Sequence, residues 1–355
     1  MPPVRPGKSL GLFSAAEYAQ VRAFFAARPH LKPTPTHHLA ALASQLRLGA
    51  LYAKDETARF GLNAFKLLGG LFAIETLIAE GAIRPGDTLV CASEGNHGRA
   101  VARAAREAGC RSRVYMAGDA AAARVQAIAG EGAAVIRVDG SYDDAVRIMR
   151  HEAGEHRWTI VSDTSWEGYE RIPRLIMLGY THMIEEIAEE FDVVFVQGGV
   201  GGLLCGVASA CASRASVVCV EPSQAACLMA SARAGHPVAV EGPLTTTMAG
   251  LRNREVSPLA FEAVQPIVDA YIAIDDEWAY AAMRQFARPD GPDPDIAAGA
   301  SGSAALGGLL AVCEQPALAD VRERLRLGPA SRVLVIVSEG VTDPQLRSQV
   351  VTAQN

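Results

Sequence analysis

The sequence has 355 residues, half of them apolar and a fifth charged, with a formal net charge of -6. That length suits two domains and a sizeable core, and the composition excludes extended disorder, collagen-like repeats and a coiled coil. Acid exceeds base, 39 to 33, and no Lys/Arg cluster interleaves with aromatics, so neither nucleic acid nor an anionic membrane is an expected partner.

Along the chain, the first 16 residues carry basic and short apolar pieces, but Glu17 and Arg22 interrupt them before a signal-peptide core develops, so export is not expected. Seven scattered cysteines form no C-x-x-C pair, and their odd number suits reduced thiols and the cytoplasm. The first strong helical pattern, residues 64–80, opens with Lys66 in a run otherwise apolar or glycine. Only four lysines occur against 29 arginines, so a retained lysine is informative. A partly desolvated amine is available as a nucleophile, as a guanidinium is not, which gives Lys66 the profile of a Schiff-base lysine. The alternative is a lysine whose stem crosses apolar surface to reach water.

A strand at 88–92 leads into Ser93-Glu94-Gly95-Asn96-His97-Gly98 and a helix at 97–108. This places a carboxylate, an amide and an imidazole at a strand's C-terminal end, where α/β folds bind ligands. Equally, Asn96 can be a helix N-cap and His97 a satisfied first-turn residue. Strands at 112–116 and 134–138 and helices at 120–129 and 143–152 follow. The next strand, 159–162, ends in Asp163-Thr164-Ser165-Trp166-Glu167-Gly168-Tyr169-Glu170. Asp163 holds the same strand-end position as Glu94, so the two carboxylates can converge on one cleft; a solvated acidic turn is the alternative. A helix is expected over 173–190.

Residues 193–213 carry no charge, long enough to span a bilayer. Five glycines and Gln197 within them indicate instead a buried strand at 193–197, a tight turn and a helix at 203–213. The turn is Gly198, Gly199, Val200, Gly201 and Gly202, whose backbone N–H groups and following helix start suit a phosphate. One reading is a dinucleotide: residues 199–204 nearly match G-x-G-x-x-G, and Glu221, ending a strand at 216–221, stands where a ribose-binding acid would. Another is a single-phosphate cofactor, which would partner a nucleophilic lysine; a purely structural turn is a third. Helices at 224–234, 277–286 and 303–313, strands at 271–274 and 332–337, and a Pro/Asp/Gly-rich surface loop at 287–300 complete the chain. Strand–helix alternation argues an α/β fold with parallel sheets covered on both faces. With no H-E-x-x-H, no histidine set at metal-ligand spacing and no G-x-S-x-G, neither a metal site nor a serine hydrolase is expected.

Several strings together carry a resemblance: Lys54-Asp55-Glu56, Arg59-Phe60-Gly61-Leu62-Asn63-Ala64-Phe65-Lys66, Glu94-Gly95-Asn96-His97-Gly98-Arg99, Asp163 to Glu170 with Ile172-Pro173, Gln197 to Gly202, Glu221-Pro222, Thr247-Met248-Ala249-Gly250-Leu251, and Ser338-Glu339-Gly340 with Thr342-Asp343. In this order, and over nearly the whole length, they resemble the diaminopropionate ammonia-lyases. These belong to the threonine/serine dehydratase-like enzymes that use pyridoxal 5'-phosphate (PLP) on a tryptophan synthase β-type fold. The resemblance implies two open parallel-sheet domains with the active site between them. Residues 1–87 plus 190–355 would form the large cofactor-binding domain, and 88–189 a small mobile one. Lys66 would hold the cofactor, beside Phe65. Asn96 would bond the ring hydroxyl, Gly198 to Gly202 would cradle the phosphate, and Ser338 would face the pyridine nitrogen. Asp163 and Glu94 would be the acid/base pair, with Lys66 also able to take the α-proton.

The implied reaction is α,β-elimination from a β-substituted amino acid, foremost 2,3-diaminopropionate to pyruvate and ammonia, by a cytoplasmic homodimer. Alternatives are a β-hydroxy amino acid dehydratase, a nicotinamide-dependent oxidoreductase using the glycine loop and Glu221, and a cofactor-binding protein without activity. The family pattern has Asp where this chain has Glu94, and Gly-Glu-Ser-Gly where it reads Gly299-Ala300-Ser301-Gly302. The sequence runs only shortly past Asp343, so a C-terminal regulatory domain is not expected.

Overall fold

Residues 12–93, 95–211 and 213–352 are described by a computed structural model of the chain. The opening segment and Glu94 lie outside these residues. In chain order the elements are α1 (Ala15–Ala26), β1 (Thr36–His38), α2 (Ala40–Gln45), β2 (Ala50–Asp55), α3 (Lys66–Ala79), β3 (Thr88–Ala92), α4 (Asn96–Glu107), β4 (Arg111–Ala117), α5 (Ala122–Ala129), β5 (Ala134–Val138), α6 (Tyr142–His156) and β6 (Thr159–Ile160). There follow α7 (Arg171–Tyr180), α8 (His182–Glu185), β7 (Val193–Gln197), α9 (Gly202–Cys211), β8 (Ser216–Pro222), α10 (Cys227–Ala234), α11 (Pro258–Val264), β9 (Ala270–Ile274), α12 (Asp276–Ala287), α13 (Ala300–Glu314), α14 (Ala319–Arg324), β10 (Arg332–Val337) and α15 (Pro344–Thr352).

The inner strands β3, β4, β7, β8 and β10, which read as short apolar runs, are buried on both faces, as parallel sheets require, while β5 and β9 at the sheet edges are partly exposed. The strands form a six-stranded sheet in the order β1-β2-β10-β7-β8-β9 and a four-stranded sheet in the order β5-β4-β3-β6. Every pairing is parallel except that of β1 with β2. The smaller sheet is built from residues within 88–160, and the chain on either side supplies the larger. One apolar core runs from Leu89, Cys91 and Val114 of the small sheet through α3, α4, α7 and α9 to Val194, Val196 and Val217 of the large one. A shared helical layer thus joins the sheets. A second core lies under α12 and α13 on the far side of the large sheet.

The charge-free stretch at 193–213 is strand, glycine turn and packed helix, as its glycines indicate. No single helix among the described residues is long and apolar enough to cross a membrane. The helix expected over 173–190 is broken into α7 and α8 at Thr181. There the hydroxyl bonds Leu178 O at 2.7 Å, in competition with the backbone ladder. Strand β2 escapes a hydrophobicity reading because it contains Lys54, whose charge is paired out of sight of the local sequence.

Helices α3, α7 and α9 cross at glycines. A Cβ on Gly69 would lie 2.4 Å from Ile176 O, one on Gly179 2.8 Å from both Gly69 Cα and Leu68 O, and one on Gly206 2.6 Å from Tyr180 Cβ. Since the obstructions at Gly69 and Gly179 include backbone, no rotamer change relieves them. Gly69→Ala and Gly179→Ala are each expected to cost about 1–3 kcal/mol through overpacking, read as a lower urea midpoint. Gly154→Ala, where a Cβ meets nothing, is expected to leave the midpoint unchanged or raised.

Candidate active site

The loops after β3, β6, β7 and β10 carry the candidate residues, and the first turn of α3 lies among them. The segment before α3 runs antiparallel to the segment after β10: Phe65 N–H donates to Ser338 O at 3.3 Å, Gly340 N–H to Asn63 O at 2.7 Å, and Ala64 bridges Glu339. Ser338, buried, is therefore set beside the start of α3. Lys66 is the first residue of that helix. Its Nζ donates to Asp163 Oδ2 at 2.5 Å, with the side chains 23% and 17% exposed. The same Nζ is 5.1 Å from the centre of the Phe65 ring, which packs edge-on against Tyr180.

Asp163 is held in place by its own turn. Trp166 stacks on Tyr169 at 4.0 Å, the Tyr169 hydroxyl donates to Ile160 O, and Ser162 N–H donates to that hydroxyl. The Trp-Glu-Gly-Tyr string thus acts as a staple rather than a solvated acidic turn. Burial would push the Asp163 carboxyl up, but the charges of His97 and Lys66, with the hydrogen bond from Lys66, hold it well below the usual range. His97 Nε2 lies 2.8 Å from Val161 O, whereas its buried Nδ1 has no hydrogen-bond partner and stands 3.7 Å from Asp163 Oδ2. Burial lowers the His97 pKa, and Lys66 adds to that while Asp163 opposes it. Two readings are open for His97, a ligand-facing imidazole and a satisfied first-turn residue; in the structure it is half satisfied and faces the Lys66–Asp163 pair.

Asn96 is not the helix cap: Gly95 occupies that position, and Asn96 begins α4. Its Nδ2 reaches instead to Glu339 Oε2 at 2.5 Å. Among the described residues the sheets thus bring together Lys66, Asp163 and His97 at one point and Asn96, Ser338 and Glu339 beside it. Glu94, the other expected carboxylate, lies outside the described residues. Glu339 is the acid that residue-by-residue reading missed, because only its long-range contacts give it a place.

Between β7 and α9, the turn at 198–202 leaves no free room for a side chain at Gly198 or Gly199. A Cβ on Gly198 would lie 2.5 Å from Cys219 Sγ and 2.7 Å from Glu221 Cγ, and one on Gly199 2.9 Å from Asn253 Nδ2. Gly201 has φ +104, which L-residues rarely adopt. The first turn of α9 leaves backbone N–H groups without partners inside the helix. A glycine-lined cradle, capped by a helix start, within a cleft holding a half-buried amine, fits a cofactor with one phosphate and an aldehyde. It does not fit the dinucleotide reading. Both Glu221 oxygens accept backbone N–H groups at the start of α10, from Leu228 at 2.7 Å and Met229 at 2.8 Å, so this acid is a buried helix cap and not a ribose ligand.

Behind the site lies a sealed ion cluster. Arg59 bonds Glu56 and Glu186, and Lys54 Nζ bonds Glu186 at 2.6 Å and Thr34 O at 2.8 Å, all four charged side chains 0–3% exposed. The Lys54-Asp55-Glu56 and Arg59 strings therefore anchor the loop that ends at Lys66. Among the described residues no group of three or more His, Cys, Asp or Glu is arranged to hold a metal.

Comparison with known proteins agrees with this geometry. The pyridoxal-phosphate dependent enzyme family matches residues 27–339. The diaminopropionate ammonia-lyase of Escherichia coli strain K12 is 37% identical over 97% of this chain and 94% of its own length. The crystal structure of the Escherichia coli diaminopropionate ammonia lyase in complex with an aminoacrylate-PLP azomethine reaction intermediate superposes with a TM-score of 0.89 at 35% identity, covering 98% of this chain and 94% of that one. The processed form of threonine deaminase isoform 2 from Solanum lycopersicum, 21% identical, shares the fold with a TM-score of 0.79 over 99% of this chain and 98% of its own.

Burial pushes the Glu221 carboxyl up from 4.5 to about 8, against the two backbone hydrogen bonds. The folded chain then binds this proton more tightly than the unfolded one. The resulting stability is fully present below about pH 4.5 and is lost as pH rises through about 8. Urea unfolding of Glu221→Gln is expected to lack this share of the pH dependence, so that the variant gains on the parent across that window. Parallel curves for the two proteins would show Glu221 to be ionised in the folded state throughout.

Proposed function

Because the chain belongs to the pyridoxal-phosphate-dependent enzyme family, we propose that it is an ammonia-lyase that eliminates the β-amine of 2,3-diaminopropionate, giving pyruvate and ammonia. The observation that carries the chemistry is the 2.5 Å contact between the amine of Lys66 and the carboxylate of Asp163 beside a glycine cradle. In this reading Lys66 and Phe65 hold the cofactor at its reactive end, Asn96 and Ser338 contact its ring, and the backbone of Gly198, Gly199, Val200, Gly201 and Gly202 takes its phosphate. When bound, pyridoxal phosphate supplies an electron sink that makes the substrate's α-proton and β-substituent labile.

The rest falls to the chain. In this reading Lys66 is a nucleophile once its amine has shed a proton, and Asp163, which stays a carboxylate beside it, orients that amine through the contact at Oδ2. Neutral Lys66 can then take the α-proton. An amine departs well only when protonated, so the site must return a proton on the leaving-group side. Asp163 and Glu94 are the acid/base pair in this reading, with His97 Nδ1 a spare acceptor 3.7 Å from Oδ2. Phe65 and Tyr180 give the amine an apolar wall that limits water. In this reading residues 88–189 form the small mobile domain, which closes over the substrate and excludes water. We assign the protein to the cytoplasm, supported by seven free cysteines, and take it as a homodimer from the family resemblance.

The purified protein is expected to be yellow, and Lys66→Ala to abolish both the covalent absorption band and turnover. Asp163→Asn is expected to keep the cofactor and lose about 10²–10⁴-fold in kcat. Pyruvate release, assayed with both enantiomers of diaminopropionate and with serine and threonine, tests the substrate. Faster turnover of a hydroxy amino acid would make the protein a dehydratase, and a yellow protein inert toward all of them would make it a binding protein.

A further inference from the structure

Glu339 is held from two sides. Its backbone bridges Ala64, two residues ahead of Lys66. From the other side α13 begins against it: a Cβ on Gly302 would lie 2.0 Å from Glu339 O, and one on Gly299 3.6 Å from Glu339 Oε1. The carboxyl is hydrogen-bonded to the hydroxyl of Ser301, which itself accepts Gly250 N–H at 3.0 Å. The remaining contact crosses from the large-sheet side to the small-sheet side, where Asn96 Nδ2 donates to Oε2 at 2.5 Å. Glu339 as a whole is only 6% exposed, so water does not compete for these partners.

A side-chain amide can stand either way round, and its neighbours decide which. We propose that Glu339 is a positioning residue for Asn96: it accepts one N–H of Nδ2, fixes which way the amide faces, and leaves the second N–H to the cofactor. The inference rests on reading Asn96 as a cofactor ligand. With Glu339 removed, the amide is free to present its carbonyl, which repels an oxygen of the cofactor instead of donating to it. The contact survives titration. Burial pushes the Glu339 carboxyl up, against the hydrogen bonds of Ser301 and Asn96, and a neutral carboxyl still has a carbonyl oxygen for Asn96 while its O–H serves Ser301.

The test uses the holoenzyme and reads the visible absorption band and the rate of cofactor release into an apo-enzyme trap. Glu339→Ala and Asn96→Ala are each expected to shift the band and to speed release ~10-fold, the worth of one good hydrogen bond. The double variant is expected to match Asn96→Ala alone, because the second change removes nothing further. Should the alanine variant not fold, Glu339→Asp, which withdraws the carboxyl by one methylene, is expected to speed release in the parent and to have no effect in the Asn96→Ala background. Release at the parent rate with an unshifted band, or additive effects in the double variant, overturns the inference. A parent protein that takes up no pyridoxal phosphate overturns the functional reading and this inference together, whereas a cofactor-loaded parent with an inert Glu339 overturns this inference alone.

Discussion

A half-buried ammonium and a carboxylate 2.5 Å apart set terms that much of the molecule meets. Removing either charge from water costs several kcal/mol unless its partner is in place, so the backbone must deliver both ends of the pair to one point from opposite sides of the structure. The Lys66 end comes from the first turn of α3. The Asp163 end comes from the turn after β6, eight residues before α7 begins. Since α3 and α7 cross at Gly69 and Gly179 with almost no separation, the same helical contact that joins the two sheets also sets the distance between amine and carboxylate. Packing and chemistry are one constraint here.

The ion cluster of Lys54, Glu56, Arg59 and Glu186 serves the same end by a different route. Two cations and two anions are sealed together, so the group is neutral as a whole but intolerant of losing any one member. It ties β2 and the turn at Arg59 to the chain just beyond α8. Phe60, within that turn, holds a left-handed backbone at φ +52, which a bulky side chain adopts only when its surroundings compel it. The guanidinium of Arg59 lies 5.1 Å from the Phe60 ring centre, and the strained turn leads directly to the residue that starts α3.

How far the fold was legible follows from where each signal is stored. Periodicity is local, so β3 to β10 and most of the helices between them read out within a few residues of their observed ends, whereas the helix expected over 173–190 breaks at Thr181 and the short α11 gives no periodic signal. Lys66, the glycine turn and the strand-end motifs were legible too, since their composition is odd in its own neighbourhood. What failed was anything stored in a distant partner. β2 looks too polar for a strand until Glu186 is brought to Lys54. Glu221 resembles a ribose ligand until α10 turns its amides onto it. Asn96 looks like a cap until Glu339 arrives from 243 residues away. Each is a polar residue whose hydrogen-bond account closes only in three dimensions.

Charge balance also bears on substrate choice. While Lys66 is an ammonium, it neutralises Asp163 and the described part of the cleft is close to electrically neutral. In the proposed reaction Lys66 must be uncharged to act as a base, and taking the α-proton makes it an ammonium again, so its pair with Asp163 regains its balance before any leaving group departs. A leaving amine needs a proton of its own, and the recharged Lys66 is then a donor for it. Asp163, whose ionised form the Lys66 ammonium favours, keeps that amine in place through the 2.5 Å contact. On this reading the pair that generates the base also restores an acid, which is what an amine leaving group requires.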